Sequence, residues 1–354
     1  MNTKHLIDLN DCSKEEWEDI INLAVNISDA PERYAETCKG KILATLFYEP
    51  STRTQMSFQT AMLKLGGNVI GFDNPLNSSV SKGETLADTT KIVSGYADIL
   101  AIRHPVEGAS LVSAQYSNCP IINAGDGGHL HPTQTLTDLV TMKKEIGHID
   151  NLTVGFCGDL KYGRTVHSLI KALCHYQNIK FILISTPELT LPDYFKEYIV
   201  QNNCAFQDVL SLEEAICELD VLYMTRIQKE RFASEALYNE QKNVYILDNK
   251  KLEHAKSSLK ILHPLPRVDE IAAEVDEDDR ATYFKQAKYG VFARMALIST
   301  LLGQTHEKYQ LKGTSSEKAC SNSRCITNQE NGIRKSFYQI GEKSYCEYCD
   351  AECK

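Results

Sequence analysis

The chain has 354 residues, about twice the length of one domain, and 42% of them are hydrophobic, which is enough to build a sizeable core. Long disorder is therefore excluded. With 38 Lys and Arg against 47 Asp and Glu, the net charge is −9, so a general attraction to nucleic acid or anionic lipid is not expected. An anionic substrate would have to be captured by a local cluster of cations.

The sequence also indicates the compartment. No run approaches about 18 apolar residues, and the N-terminus lacks the apolar stretch of a signal peptide, so we expect a cytoplasmic protein with no membrane partner. Thiols stay reduced in that compartment. Five of the twelve cysteines fall between Cys320 and Cys353, which marks the tail as a separate part of the chain.

Short apolar runs rich in β-branched residues alternate with longer amphipathic runs. This alternation predicts parallel sheets covered on both faces, and about eight strands are too many for one domain. We therefore expect an α/β fold: two doubly wound parallel-sheet domains joined by helices, plus a small, cysteine-rich C-terminal module. The predicted strands are Ile42–Tyr48, Asn68–Phe72, Asp98–Ile102, Ile121–Asn123, Leu152–Phe156, Phe181–Ile184, Val221–Thr225 and Lys260–Leu262.

Two helical patterns divide the chain. His131–Gly147 joins the two halves, and Tyr283–Leu302 is the last helix before the composition turns polar. The segment Gly313-Thr314-Ser315-Ser316 is typical of a linker. The expected boundaries are 1–135 completed by the C-terminal helix 288–304, then 148–287, and finally the tail 313–354.

The first motif, Ser51-Thr52-Arg53-Thr54, follows the strand Ile42–Tyr48 and precedes a helical pattern. A Ser/Thr-rich turn at a helix N-terminus offers backbone N–H groups, hydroxyls and the positive end of the dipole to an anion. Arg53 adds a forked donor suited to phosphate. An ordinary helix cap is the alternative interpretation. The nucleotide-binding P-loop pattern is absent from the sequence, so a different device would hold the phosphate.

The second half places polar side chains after several strands. Gly155-Phe156-Cys157-Gly158-Asp159 does not fit G-x-G-x-x-G, which disfavours a nicotinamide cofactor. Arg164 follows the same strand, Arg226 follows the strand Val221–Thr225, and His263-Pro264-Leu265-Pro266-Arg267 follows Lys260–Leu262. Ligands of open α/β sheets bind at these strand ends. Three such places predict a ring of positive donors.

Taken together, these segments resemble the catalytic chain of aspartate carbamoyltransferase over roughly residues 5–305. Met224–Gln228 and Pro264 favour the aspartate enzyme, since an ornithine enzyme would carry a cysteine at position 264. A carbamoyltransferase for a different amino acid and a catalytically silent, zinc-bearing assembly subunit are the alternatives. The segments that carry the resemblance are Phe47–Thr54, Lys82–Thr85, Arg103–Pro105, His131–Gln134, Gly158–Thr165 and His263–Arg267.

The resemblance implies transfer of the carbamoyl group of carbamoyl phosphate to the amine of L-aspartate. The products are N-carbamoyl-L-aspartate and phosphate, in the committed step of de novo pyrimidine (UMP) biosynthesis. It implies that 1–135 binds carbamoyl phosphate, that 148–287 binds aspartate, and that the catalytic site needs no cofactor. The implied carbamoyl phosphate-binding residues are Ser51, Thr52, Arg53, Thr54, Ser78, Arg103, His131 and Gln134. The implied aspartate-binding residues are Lys82, Arg164, Arg226, Gln228, Leu265 and Pro266. The implied catalytic residues are Arg53, Thr54, Lys82, Arg103, His131 and Gln134.

The resemblance also implies an assembly. Lys82, together with Ser78 or Ser79, would reach the site of a neighbouring subunit, so we expect a homotrimer with shared active sites. Pairing of trimers and binding of separate regulatory chains stay open. After Arg231 the chain reads Phe-Ala-Ser-Glu-Ala, one residue short in a loop that the family uses for its quaternary transition, so cooperativity also stays open.

The tail carries the pattern Cys320-x4-Cys325-x20-Cys346-x2-Cys349. In a reducing compartment this spacing suits a tetrahedral, structural Zn²⁺; free thiols at a frayed terminus are the alternative. The tail also resembles the zinc-binding half of the aspartate carbamoyltransferase regulatory chain, whose nucleotide-binding half has no counterpart here. About forty residues are too few for a self-sufficient core, so the metal would stabilise the fold. Cys353 falls outside the four-ligand set.

Overall fold

The computed structural model describes residues 4–74, 79–227, 238, 244–315 and 319–353. The chain divides into two compact units. The first unit comprises residues 1–133 and 291–354, and the second comprises residues 134–290. Within the described ranges, no helix combines the length and the apolar character needed to cross a membrane.

The first unit contains a parallel four-stranded sheet with the order β2-β1-β3-β4. The buried runs of β1, β3 and β4 are typical of parallel strands covered on both faces, while β2 lies at an edge and is largely exposed. The strands are β1 (Ile42–Phe47), β2 (Asn68–Phe72), β3 (Ile99–His104) and β4 (Ile121–Asp126). The helices are α1 (Lys14–Asp29), α2 (Thr52–Lys64), α3 (Leu86–Val93) and α4 (Ala109–Tyr116).

The second unit contains a parallel five-stranded sheet with the order β7-β6-β5-β8-β9. Two longer helices, α5 (Pro132–Ile146) and α10 (Tyr283–Leu302), contain residues of both units. The strands are β5 (Thr153–Cys157), β6 (Lys180–Ile184), β7 (Ala205–Val209), β8 (Val221–Met224) and β9 (Lys260–Leu262). The remaining helices are α6 (Arg164–Leu173), α7 (Asp193–Gln201), α8 (Leu212–Ala215) and α9 (Asn249–Leu252).

The two parallel sheets confirm the predicted α/β fold class. Strand β7 was not among the predicted strands. It lies at the edge of its sheet, and three of its five residues are exposed, so it lacks the apolar run that marks the interior strands.

The tail forms its own antiparallel sheet of four short strands. The prediction of a linker at Gly313–Ser316 is wrong for the described residues, because Thr314 and Ser315 pair with Phe337 and Ser336. The strands are β10 (Thr314–Ser315), β11 (Ser336–Ile340), β12 (Lys343–Cys346) and β13 (Glu352–Cys353), and the tail helix is α11 (Ile326–Gln329).

This tail packs against the other part of the first unit. Tyr348 and Phe337 are buried in the same apolar cluster as Leu111 and Val112 of α4, and six of the eight residues of α4 are buried. The Glu330 carboxylate accepts a hydrogen bond from the Leu86 N–H, at 2.7 Å, in the first turn of α3. The tail is therefore part of the core of the first unit.

Gly108, immediately before α4, packs tightly against the tail. Its φ is +85°, and a Cβ there would lie 2.6 Å from Tyr348 Cβ. Gly40 has a similar φ of +75° but open space around it. We expect Gly40→Ala to cost only the left-handed backbone strain, about 1 kcal/mol, whereas Gly108→Ala also displaces the tail and costs about 3 kcal/mol. Denaturant unfolding measures both; equal losses would contradict the packing.

Candidate active site and metal centre

The first anion-binding element lies where β1 ends. Since β1 and β3 are adjacent and parallel, their carboxyl ends meet at the same edge of the sheet. Ser51 precedes α2, but within the described residues its side chain makes no capping hydrogen bond, which counts against the ordinary-cap interpretation. The first N–H groups of a helix have no intrahelical partner, so this turn offers donors to an anion beside exposed Thr52 and Arg53 and half-buried Thr54.

Arg103, at the end of β3, is the central cation of this edge. One Nη pairs with Glu49 at 2.7 Å, and the other donates to the Ala124 carbonyl at 3.3 Å. Its Nε is buried without a hydrogen-bond partner in the described part of the chain. Burial lowers the pKa of Arg103, Glu49 opposes that shift, and the nearby charge of Arg53 adds to it. A guanidinium with an unused, buried donor suits an anionic ligand.

His131 follows β4 and lies beside this arginine. Its Nε2 is 3.4 Å from Arg103 Nη1, and its Nδ1 is 3.5 Å from the Thr133 hydroxyl. Gly125 makes the approach possible, because a Cβ there would lie 3.0 Å from Arg103 Nη1. The structure therefore brings two of the predicted catalytic residues together at the carboxyl edge of the first sheet.

The structure also describes Ser79, Lys82 and Gln134, three further residues of the predicted site. Ser79 and Lys82 lie on a short 3₁₀ helix, Ser79–Lys82, where the Lys82 side chain is exposed. Ser78 lies outside the described residues. Gln134 belongs to the second unit, where its amide donates to Asp138 Oδ1 at 2.8 Å.

The second unit gathers its predicted residues at the carboxyl edge of its own sheet. Arg164 opens α6 after β5, and Arg226 follows the neighbouring strand β8. The loops after these strands are joined, because the Asp159 N–H donates to the Thr225 hydroxyl at 2.9 Å. Both arginines are partly exposed. Gln228, and the loop after Arg231, lie outside the described residues.

Leu265 and Pro266 follow β9, and a buried pair of side chains holds the backbone of Leu265. His263 Nε2 lies 2.7 Å from Glu270 Oε1, and the Leu265 N–H donates to His263 Nδ1 at 2.8 Å. Burial raises the pKa of Glu270, but its hydrogen bonds with His263 and backbone N–H groups outweigh burial and lower it. Sequence reasoning missed Glu270 because nothing in its local pattern points to His263.

The four predicted zinc ligands meet in the tail. All four sulfurs of Cys320, Cys325, Cys346 and Cys349 lie within 4.8 Å of one another, and all four residues are buried. The Sγ–Sγ distances are 3.5 Å between Cys320 and Cys349 and 3.8 Å between Cys325 and Cys346. Sulfurs around a tetrahedral zinc lie about 3.8 Å apart. The donor set therefore fits a closed structural site; Cys353 lies outside it.

Hydrogen bonds among the clustered thiols lower the pKa of Cys325, whereas burial raises the pKa of Cys320. A metal ion binds the thiolate form of cysteine, so an ion held by these four residues would favour their deprotonation.

Two family models match most of the chain. The model of the aspartate/ornithine carbamoyltransferase carbamoyl-P binding domain matches residues 4–144, and that of the Asp/Orn binding domain matches residues 150–301. The chain belongs to the aspartate/ornithine carbamoyltransferase family. Residues after 301, including the tail, lie outside both matches.

Individual members of this carbamoyltransferase family are similar to the chain over most of its length. The aspartate carbamoyltransferase catalytic subunit of Clostridium perfringens is 58% identical over 305 residues, covering 86% of this chain and 99% of that one. The catalytic subunit of M. jannaschii aspartate transcarbamoylase superposes with a TM-score of 0.81 at 48% identity, covering 85% and 98%. Aspartate transcarbamoylase from Trypanosoma cruzi, in complex with carbamoyl phosphate and aspartate, gives 0.77 at 36% identity, covering 84% and 96%.

Proposed function

We propose that this chain is an aspartate carbamoyltransferase. It transfers the carbamoyl group of carbamoyl phosphate to L-aspartate, giving N-carbamoyl-L-aspartate and phosphate for pyrimidine biosynthesis. The observation that carries the proposal is Arg103, whose buried Nε lacks a partner in the described residues and whose Nη lies beside His131. The 58% identity to a catalytic subunit of that name supports the same activity.

Carbamoyl phosphate would bind at the edge of the first sheet. Thr54, Arg103, His131 and Gln134 would surround the carbamoyl group. The phosphate would be held by hydroxyls, backbone N–H groups and guanidinium groups from Ser51, Thr52, Arg53, Thr54 and Arg103, with Ser78 as a further donor.

The chemistry requires donors in those positions. The aspartate amine attacks the carbamoyl carbon, and a C–N bond forms in a tetrahedral oxyanion. The bond from that carbon to the phosphate oxygen then breaks, phosphate leaves, and the nitrogen gives up one proton, which balances the transfer. Donors aimed at such an oxyanion contribute on the order of 3 kcal/mol each. His131, Thr54 and Arg103 would supply them, and positioning of the two substrates supplies much of the remaining acceleration. This family requires no cofactor at its catalytic site.

Aspartate would bind at the edge of the second sheet. Arg164, Arg226 and Gln228 would bind its carboxylates, Lys82 would approach from a neighbouring subunit, and the backbone of Leu265 and Pro266 would shape the pocket. An ornithine side chain ends in an ammonium group, which two arginines would repel. This repulsion favours aspartate over the alternative acceptor.

The assembly that we propose is a homotrimer with shared sites. Lys82 is exposed at the end of its 3₁₀ helix, so it is available to a neighbouring subunit. The exposed apolar side chains of Ile92 and Tyr96, further along the same segment, are suited to burial in such an interface. Closed three-fold symmetry is a simple way to complete identical sites.

We also propose that the tail holds one structural Zn²⁺ and is similar to the zinc-binding half of the regulatory chain. Cys320, Cys325, Cys346 and Cys349 would hold the ion, leaving no open coordination position, so its contribution is to folding. Four reduced thiols suit a reducing compartment such as the cytoplasm.

The assignment of Arg226 can be tested by a substitution that keeps its charge. A guanidinium pairs with a carboxylate through two hydrogen bonds, and Lys cannot copy that geometry. We expect Arg226→Lys to raise the KM for aspartate at least about tenfold, with little change in the KM for carbamoyl phosphate. Steady-state kinetics measure both constants. Equal changes for the two substrates would contradict the assignment.

Subunit mixing tests the shared site. Lys82→Ala and Arg53→Ala proteins should each be inactive, because each removes a cation from every site. If Lys82 acts across the interface, exchange of subunits between the two proteins creates some interfaces that pair intact halves, and activity should return in part. If subunit exchange is demonstrated and activity still does not return, each site must be built within one chain.

The tail offers a matched pair of cysteine substitutions for the zinc proposal. We expect one zinc per chain in protein purified under reducing conditions, and loss of that zinc in Cys346→Ser. Structural zinc stabilises small folds by about 10 kcal/mol or more, so this variant should unfold the tail and expose the apolar face of α4. Cys353→Ser should retain the metal. Metal analysis and thermal unfolding are the measurements; metal-free wild-type protein would overturn the proposal.

A further inference from the structure

His129 lies between a buried carboxylate of the sheet and a carboxylate of the tail. Its Nδ1 is 3.4 Å from Asp126 Oδ2, and its Nε2 is 3.0 Å from Asp350 Oδ2. The His129 side chain is 15% exposed and that of Asp126 only 2%. Burial lowers the pKa of His129, but the two carboxylates outweigh burial and raise it well above its ordinary value. A protonated ring can donate to both carboxylates at once.

Asp126 organises the loop that leads to His131. Its Oδ1 accepts hydrogen bonds from the Leu130 N–H at 3.0 Å and from the Asn123 amide at 3.3 Å. Its Oδ2 also accepts from the Gly108 N–H at 3.0 Å. Leu130 immediately precedes His131, so the hydrogen bond to Asp126 holds the backbone next to the imidazole that lies beside Arg103.

Asp350 is fixed by the fold of the tail. It follows Cys349, one of the four clustered cysteines, and its second oxygen accepts a hydrogen bond from the Tyr338 hydroxyl at 2.9 Å. Backbone hydrogen bonds also attach the tail to residue Glu107: the Glu107 N–H donates to the Arg324 carbonyl, and the Ile326 N–H donates to the Glu107 carbonyl. The fold of the tail therefore holds the Asp350 carboxylate in contact with His129.

We propose that His129 is a positioning residue, through which the folded tail holds the loop of residues 126–131 in the arrangement that binds carbamoyl phosphate. This inference rests on the proposed function of Arg103 and His131 and on the proposed metal in the tail. It gives the tail a role in the affinity of the site in addition to its role in stability.

Three variants test this coupling in the full-length protein. Asp350→Asn removes the negative charge but keeps the size of the side chain, His129→Ala removes the bridge, and the double variant measures their interaction. We expect each single change to raise the KM for carbamoyl phosphate on the order of fivefold, while kcat and the KM for aspartate stay within about twofold. The double variant should be no worse than His129→Ala alone, because the two residues act through one contact.

Two controls separate positioning from a general loosening of the tail. Lys343→Ala and Glu352→Gln each break the exposed ion pair that these two side chains form in the same sheet. Both should keep wild-type kinetics and the wild-type metal content. A fivefold rise in the Lys343→Ala protein, or a wild-type KM for carbamoyl phosphate in Asp350→Asn, would overturn the proposal.

A readout that does not depend on activity distinguishes this proposal from the proposed function. Hydrogen exchange at the Leu130 amide reports the bond to Asp126. We expect faster exchange in Asp350→Asn and in His129→Ala, and wild-type exchange in Lys343→Ala. Inactive wild-type protein would contradict the proposed function alone, whereas unchanged exchange at Leu130 in both variants would contradict the coupling.

Discussion

Parallel pairing of neighbouring strands is the constraint on which both candidate binding edges depend. Hydrogen bonds between β1 and β3 and between β5 and β8 bring the carboxyl ends of those strands to one edge in each sheet. After β1 the chain continues to β2 on one side of the pair, and after β3 it continues to β4 on the other side; β5 and β8 lead in the same way to β6 and β9. Ligands of open α/β sheets bind in the crevice at such a point. Residues far apart in sequence, such as Arg53 and Arg103, are gathered in this way.

Electrostatics explains why the cations have to be concentrated. The net charge of the chain is −9, so the protein as a whole repels two anionic substrates. Arg103 shows how the first unit maintains a buried cation. Glu49 and the Ala124 carbonyl stabilise the guanidinium. In the described part of the chain its Nε–H has no hydrogen-bond partner, so this donor is available to a ligand. A substrate phosphate can use that donor, because its charge compensates the desolvation of the arginine.

The sequence was sufficient to predict the elements whose signals are local. The apolar runs of the interior strands and the turn at Ser51–Thr54 depend on neighbouring residues, and the spacing of the four cysteines is itself a sequence pattern. Strand β7 escaped prediction because an edge strand carries polar residues on its exposed positions. The linker prediction failed because the pairing of Thr314 with Phe337 depends on a strand more than twenty residues away. The contacts of Asp126 with Gly108 and of His129 with Asp350 also join residues that are far apart in the sequence, which no local pattern encodes.

The most direct test of the account is the choice of acceptor by purified, metal-containing protein. Carbamoyl phosphate is supplied with L-aspartate or with L-ornithine, and both phosphate and the carbamoylated product are measured. The account predicts phosphate and N-carbamoyl-L-aspartate in equal amounts, with little product from ornithine. Preferential carbamoylation of ornithine, or no transfer to either acceptor by folded protein, would contradict it.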